Sequence, residues 1–508
     1  MRTRLSLLTL IVAVALAVAR IATPQTPGAA EQRDMRLVGY SDLQARSAYQ
    51  PLVHEQRGRF IAYIGHHGGR VMNPLTGRVE DNGTSLVDVT DPRNPRYLHH
   101  IPGAAGEAEA GGAQMVRVCD GKILPKADPT RTYLLRTLGN LAHEIWDVTD
   151  PTNPSLLKTV VAGLKSTHKN WWECDTGIAY LVSDGRPSGW RTDRMTKIYD
   201  VSNPAAPRFI RDFGLPGQEP GATDNPPPEG VHGPIVYRNR VYFPYGTSKD
   251  GVFQIVDRDK LLRGDPRAND PFAPRRENLV YPQVGRFDMA PSWGGHTSFP
   301  VLGVTIPDFA ANRDGRRGDF VVLVSEAIVN QCQEFRHMTF IVDITVESKP
   351  FPIANFQVPE SSGRFCSRGG RFGPHSSSES FTPIYYGRMV FLAYFNAGVR
   401  AVDIRDPYRP REAAYYIPPV TRNTARRCIT IDGAEQCKVA IQTNNVDADD
   451  RGYVYLADRA NTGLHIVELT GEARAIANFP RAVDQPAPTR FASAQRMGLA
   501  GEHTIAPR

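Results

Sequence analysis

After about residue 30 the chain has no apolar run long enough to cross a bilayer, which excludes a bundle of membrane-spanning helices. It also lacks any block of like charge: 60 Lys and Arg against 53 Asp and Glu leave a formal charge of +7, scattered along 508 residues. A nucleic-acid partner is therefore not implied. There is no Gly-x-Ser-x-Gly elbow, no His-Glu-x-x-His helix, no phosphate loop and no dinucleotide fingerprint, so the commonest hydrolase, zinc-protease and nucleotide-dependent chemistries have no sequence support. Cysteine is scarce, at six residues. Turn formers are not: Gly 44 and Pro 41, with 41% hydrophobic residues, fit a β-rich globular protein with many turns.

The N-terminus carries Arg2 and Arg4, a largely apolar run from Leu5 to Ala19 ending Ala17-Val18-Ala19, and a Pro/Thr/Gln/Ala-rich stretch to Ala30. Charged start, apolar middle and small-residue end read as an export signal and linker over 1–30, to the periplasm or outside the cell. Arg20, directly after the cleavage motif, leaves an uncleaved anchor open, and only in that case is a membrane a partner. Six cysteines in an exported chain invite disulfides.

One phrase organises the remainder of the chain. Asp88-Val-Thr-Asp-Pro-Arg-Asn-Pro95 returns as Asp147-Val-Thr-Asp-Pro-Thr-Asn-Pro154, Asp200-Val-Ser-Asn-Pro-Ala-Ala-Pro207 and Asp403-Ile-Arg-Asp-Pro-Tyr-Arg-Pro410, each behind a short β-rich run. Proline fixes φ and the preceding Asp or Asn side chain can bond the backbone just ahead, so each phrase is strand, sharp turn, strand. With the acid closing the third strand as a ruler, Asp88, Asp147, Asp200, Asp257, Asp343, Asp403 and Glu468 mark seven units. Upstream strands such as Phe60-Ile-Ala-Tyr and Phe320-Val-Val-Leu, and strands after the turn such as Arg96-Tyr-Leu-His, bring each unit to four strands. The expected fold is all-β, a seven-bladed β-propeller of four-stranded antiparallel blades over 31–480, with a tail over 481–508. Met35-Arg-Leu-Val-Gly39 and Ala473-Arg-Ala-Ile-Ala477 compete to complete the last blade. These repeats resemble those of the LVIVD-repeat β-propeller proteins over roughly residues 35 to 470, a likeness that bears on fold and not on chemistry.

Residues opening the first strand of each blade converge at the channel of such a disc. Those positions read His54, Gln114, His168, His232, His296, His375 and Asn445, which uses five of the 13 histidines. Blades three to six supply His168, His232, His296 and His375, and converging neutral imidazoles suit Fe or Cu, with Zn possible. The arrangement is similar in outline to carotenoid cleavage oxygenases, seven-bladed propellers holding ferrous iron with four histidines, although the surrounding motifs do not place the chain there. Glu173, Glu229, Glu326 and Glu379 are candidate outer acceptors for the rings, Glu379 foremost because it shares a strand with His375. Equally, a polar residue at each inner strand can simply bond a neighbouring blade or channel water. His66 and His67 read as a solvated loop.

Four long connections, Gly214 to Val231, Arg263 to Gly295, Glu360 to Pro374 and Pro418 to Ala440, suggest a lid over the channel. Trp171, Trp172 and Trp293 lie near the histidines in sequence as a candidate aromatic wall, with core packing as the alternative. Arg364, Arg368 and Arg371 precede His375 and offer positive charge. Three cysteine pairs suggest themselves: Cys428 with Cys437 across a hairpin, Cys332 with Cys366 on one face, and Cys119 with Cys174 at similar depths of neighbouring inner strands. The leading expectation is an exported metal-dependent oxidoreductase acting on a small substrate, an aromatic one among the options, under the long loops. The alternatives are a non-catalytic exported or cell-surface propeller that binds a protein or glycan, and a metal-assisted hydrolase.

Overall fold

A computed structural model describes residues 29–306, 315 and 317–480; the segments read as export signal and tail lie outside these residues, apart from the last two positions of the leader. Seven antiparallel sheets form a β-propeller. Its inner strands are Ala48–Gln56, Val116–Asp120, Asn170–Trp172, Ile235–Tyr237, Thr297–Val304, Ser376–Ser377 and Thr443–Ala448. Blade seven takes its outer strand from the chain's start: Met35–Ser41 pairs antiparallel with Gly463–Leu469. The competing segment is a helix, Gly471–Ile476, which cannot extend a sheet. A second N-terminal strand, Glu31–Arg33, adds a fifth strand to blade six. Both ends of the propeller are thus tied to one another by two ladders, which removes the open edge a linear array would expose.

The apolar upstream strands are second strands, sandwiched between neighbouring blades. Phe320, Val321, Val322, Leu323 and Val324 are all buried, which is why the run shows no polar alternation. Outer strands such as Ser155–Val161 are exposed or half-buried along most of their length. The repeated phrase behaves as its chemistry requires. Asp88 accepts from the Thr90 amide at 2.9 Å, Asp147 from Thr149 at 2.9 Å, Asp200 from Ser202 at 2.9 Å and Asp403 from Arg405 at 3.1 Å. Of the worn copies, Asp343 keeps the turn bond, to Thr345 at 2.8 Å, while Asp257 caps the helix Arg258–Arg263 through the Lys260 amide.

A register shift recurs between third and fourth strands of every blade, at Leu86/Val87, Ile145/Trp146, Ile198/Tyr199, Ile255/Val256, Ile341/Val342, Ala401/Val402 and, on the closing strand, Leu37/Gly39. Such bulges add twist, which each blade needs to fit its neighbour. A Cβ on Gly39 would lie 1.9 Å from the Pro92 carbonyl oxygen, and one on Gly285, at the same place in blade four, 1.8 Å from that of Glu347. Only glycine lets the bulged strand meet the next blade's turn so closely.

All three expected disulfides are formed, Cys119–Cys174, Cys332–Cys366 and Cys428–Cys437. They are the mark of an oxidising compartment. Among the described residues no helix is long and apolar enough to cross a membrane. One proposed lid segment belongs mostly elsewhere: Arg263 to Gly295 contains the helix Arg276–Val280, in the turn between third and fourth strands on the face of the Asp-Pro turns, and the outer strand Gln283–Asp288, and only its end after Asp288 leads into an inner strand. The other three connections lead into inner strands on the opposite face. There the hairpin Arg426–Ile431/Ala434–Val439 is pinned to blade five by Asn330, whose amide donates to the Cys428 carbonyl, and by Lys438, which reaches Gln331 and Ser367.

Candidate metal centre

Four connections deliver one histidine each to the channel, just before or at the first residue of the inner strand: His168, His232, His296 and His375. All are at least nine-tenths buried. The Nε2 atoms of His168 and His232 are 2.9 Å apart. Ring centroids step round the axis at 4.8 Å from His168 to His232, 3.5 Å to His296 and 4.4 Å to His375. These four residues are therefore brought together as their shared repeat position requires.

On three of the four rings the opposite nitrogen is tied outward, while His232 Nδ1 is buried without a hydrogen-bond partner. His375 Nδ1 bonds the Asn444 carbonyl, and His168 Nδ1 bonds Gln114 Oε1 at 2.8 Å with Glu109 Oε2 at 3.2 Å. These are acceptors, so both Nδ1 atoms carry the proton and both Nε2 lone pairs face the axis. His296 Nδ1 pairs with Thr297 Oγ1 at 2.8 Å, and its buried Nε2 has no hydrogen-bond partner. Burial holds all four imidazoles in the neutral form that ligates metals: His168 is lowered to about 4, with the charge of Arg194 adding to burial, and the other three are driven well below their usual value.

Two carboxylates stand beside this ring. Glu326 lies 3.6 Å from His375 Nε2 and 3.9 Å from His296 Nε2, and Arg371 holds it from behind at 2.9 Å. Burial pushes its carboxyl up against the pull of Arg371. Ligand atoms of His296, Glu326 and His375 all lie within 4.8 Å of one another, a set compatible with one ion. Glu109 bridges His67 at 3.2 Å and His168 at 3.2 Å, with the oxygen that faces His168 buried. The donors are thus not four imidazoles alone: carboxylates are at hand to offset a cation's charge.

Other expected positions fall differently. His54 is five residues beyond the ring level on the strand Ala48–Gln56 and bonds Asp120 at 3.0 Å, because blade one enters the channel with Tyr49 and Gln50. Tyr49 Oη is 3.0 Å from His168 Nε2. Gln114 supports His168, and Asn445 bonds Gln50. Glu379 does not touch a ring histidine; it pairs with Lys169 at 3.1 Å and with Arg117, in the next layer of the channel. Glu173 pairs with Arg258 at 2.8 Å, and together with Trp171 and Trp172 it lines a cleft of about 330 Å³ on the side of the Asp-Pro turns. Glu229 pairs with Lys249 on the surface. Trp171 packs on the Arg117 guanidinium at 4.5 Å, Trp172 is core, and Trp293 donates to the Arg336 carbonyl, so no tryptophan walls the ring. Arg368 is taken up by Glu31, and of the three arginines before His375 Arg371 is the one that reaches the centre, through Glu326.

His66 and His67 are buried rather than solvated. His66 bonds Ser85 at 2.7 Å, and His67 meets Glu109 and the edge of Tyr49. Tyr49 had a discoverable signal, since it opens an inner strand two residues into the first blade. Glu109 had none, because its strand Ala108–Ala113 lies outside the repeat.

No family model and no curated protein matches the sequence. Among solved structures a Raptor from Chaetomium thermophilum is similar at a TM-score of 0.46 and 11% identity, covering 86% of this chain, which spans 28% of that one.

Proposed function

We propose that this is an exported propeller of the LVIVD-repeat kind that works as a metal-dependent oxidoreductase, with Fe or Cu, or alternatively Zn, held by His168, His232, His296 and His375. The observation supporting this is the set of rings at the axis: Nδ1 atoms of His168, His296 and His375 tied outward by Gln114, Thr297 and the Asn444 carbonyl, and the partnerless buried Nε2 of His296 in a cluster with ligand atoms of His375 and Glu326. A bound transition ion supplies either a change of oxidation state or polarisation of a substrate oxygen. Glu326 is placed to stand as a further donor or to hold a proton beside the centre, since burial has already raised its carboxyl. Tyr49 keeps its phenolic proton, because burial raises it far above the usual value, and donates it in a hydrogen bond to His168 Nε2, a bond that a metal at that nitrogen would replace.

Metal analysis of protein purified from the exported fraction tests the reading. The expected content is about one equivalent, lost in His232→Ala and His296→Ala and kept in His66→Ala. Less than about a tenth of an equivalent after reconstitution refutes it. Recovery of the protein in the cytoplasmic fraction with free thiols would refute export.

A further inference from the structure

Around the histidines, on the face of the lid, the fold gathers guanidinium groups with too few acids to pair them. Arg371 bonds Glu326 at 2.9 Å and lies over the ring of Phe395, which itself packs on His375 at 5.0 Å. Arg459, in the turn after Tyr453–Asp458, bonds Glu109 at 3.3 Å. Arg427, from the lid hairpin, gives Nη2 to the Arg459 carbonyl at 2.7 Å, and its Nε is buried without a partner. Arg194, just before the third strand of blade three, makes no side-chain hydrogen bond or ion pair among the described residues, yet its charge acts on His168, His232 and Glu326.

Of these four cations only Arg371 and Arg459 bond a carboxylate, Glu326 and Glu109 respectively. The charges of Asp458 and Glu334, further out, act on Arg427 and Arg371, but their oxygens are taken by the amides of Gln442, Ala460 and Thr462 and by those of Ile328 and Val329 with His337, so neither carboxylate bonds Arg194 or Arg427. Like charges held close in a part-buried site repel one another unless an anion joins them. Burial, with the charges of Arg459 and Arg371, lowers Arg427 to about 10 against the opposing pull of Asp458. A guanidinium offers paired N–H donors in a plane, the match for a carboxylate.

We propose that the substrate of this centre carries a carboxylate, and that Arg194 and Arg427, flanked by Arg371 and Arg459, receive it on the lid side of the histidines. The proposal rests on the histidines being the reacting centre, but the anion subsite itself needs no metal. Binding is measured by calorimetry with acetate and benzoate against their neutral amides, on the protein as purified and after metal stripping. The carboxylates should bind at least tenfold more tightly than the amides, with affinity falling as salt rises. Arg194→Met and Arg427→Met should each weaken carboxylate binding about tenfold while metal content and circular dichroism stay at wild-type values. Amides binding as tightly as carboxylates, or unchanged carboxylate affinity in Arg194→Met, overturns the proposal. Arginine-dependent binding in a protein that takes up no metal would instead sustain the anion subsite and bring down the metal reading, so the two fail separately.

Discussion

Replacing Glu379 by Gln removes the acid that neutralises two cations in the channel layer next to the histidines. The carboxylate is 8% exposed and pairs with Lys169, 3% exposed, at 3.1 Å and with Arg117, 7% exposed. Burial raises its carboxyl, but Lys169 and Arg117 outweigh burial and hold it down at about 2. A drop of roughly two units from the ordinary Glu value is worth about 3 kcal/mol at 1.36 kcal/mol per unit. Breaking a buried pair and leaving its cations unpaired costs about 3–5 kcal/mol, the same order. The folded pKa is depressed, so this stability is present above the unfolded value, near 4.3, and is lost as pH falls toward about 2. Urea unfolding at pH 7 should therefore show Glu379→Gln less stable by about 3–5 kcal/mol, and the gap should shrink to roughly half at pH 3 and close only as pH falls below about 2. A difference under about 1 kcal/mol at pH 7, or a gap that persists unchanged at pH 3, refutes the assignment of Glu379 as the neutralising acid.

Asp447 carries the opposite sign. Burial lifts its carboxyl to about 7, so its contribution is complete below the unfolded value and is lost as pH rises through 7; Asp447→Asn, which still can accept from the Val53 amide, should stabilise the protein at pH 8 and leave it unchanged at pH 4 in the same unfolding assay. The Cys119–Cys174 bond closes a 55-residue span, for which chain entropy predicts about 4 kcal/mol; the double Cys→Ala variant should unfold at correspondingly lower urea, and an unchanged midpoint would contradict it. Met35 is 1% exposed and locks the N-terminal strand onto Val467 and Leu469, so Met35→Ala should cost about 2–4 kcal/mol and open the closing strand to proteolysis.

The seven blades were legible because the Asp-Pro turn is local chemistry: an Asp bonds an amide two residues ahead whatever surrounds it, and even Asp343, without its proline, still does so. The four ring histidines were legible because each occupies the same place in successive repeats. His54 misled, because blade one begins its inner strand at Ala48, and a register five residues off carries a side chain to the other end of the channel. Glu379 misled for a related reason: sharing a strand with His375 does not settle which neighbour on the next blade a side chain meets.

What the sequence determined by itself was therefore periodic or local: the turn, the number of blades, the shared depth of four histidines and the three cysteine pairs. Only the tertiary structure decided which charges surround those histidines. Glu109, Glu326, Arg194, Arg371, Arg427 and Arg459 come from connections between strands, where no repeat constrains position, and they meet because closing seven blades into a ring brings one end of every blade to the same axis. The closure itself, Met35–Ser41 on Gly463–Leu469, joins residues more than 400 positions apart, and strand pairing at that separation leaves no trace in local pattern.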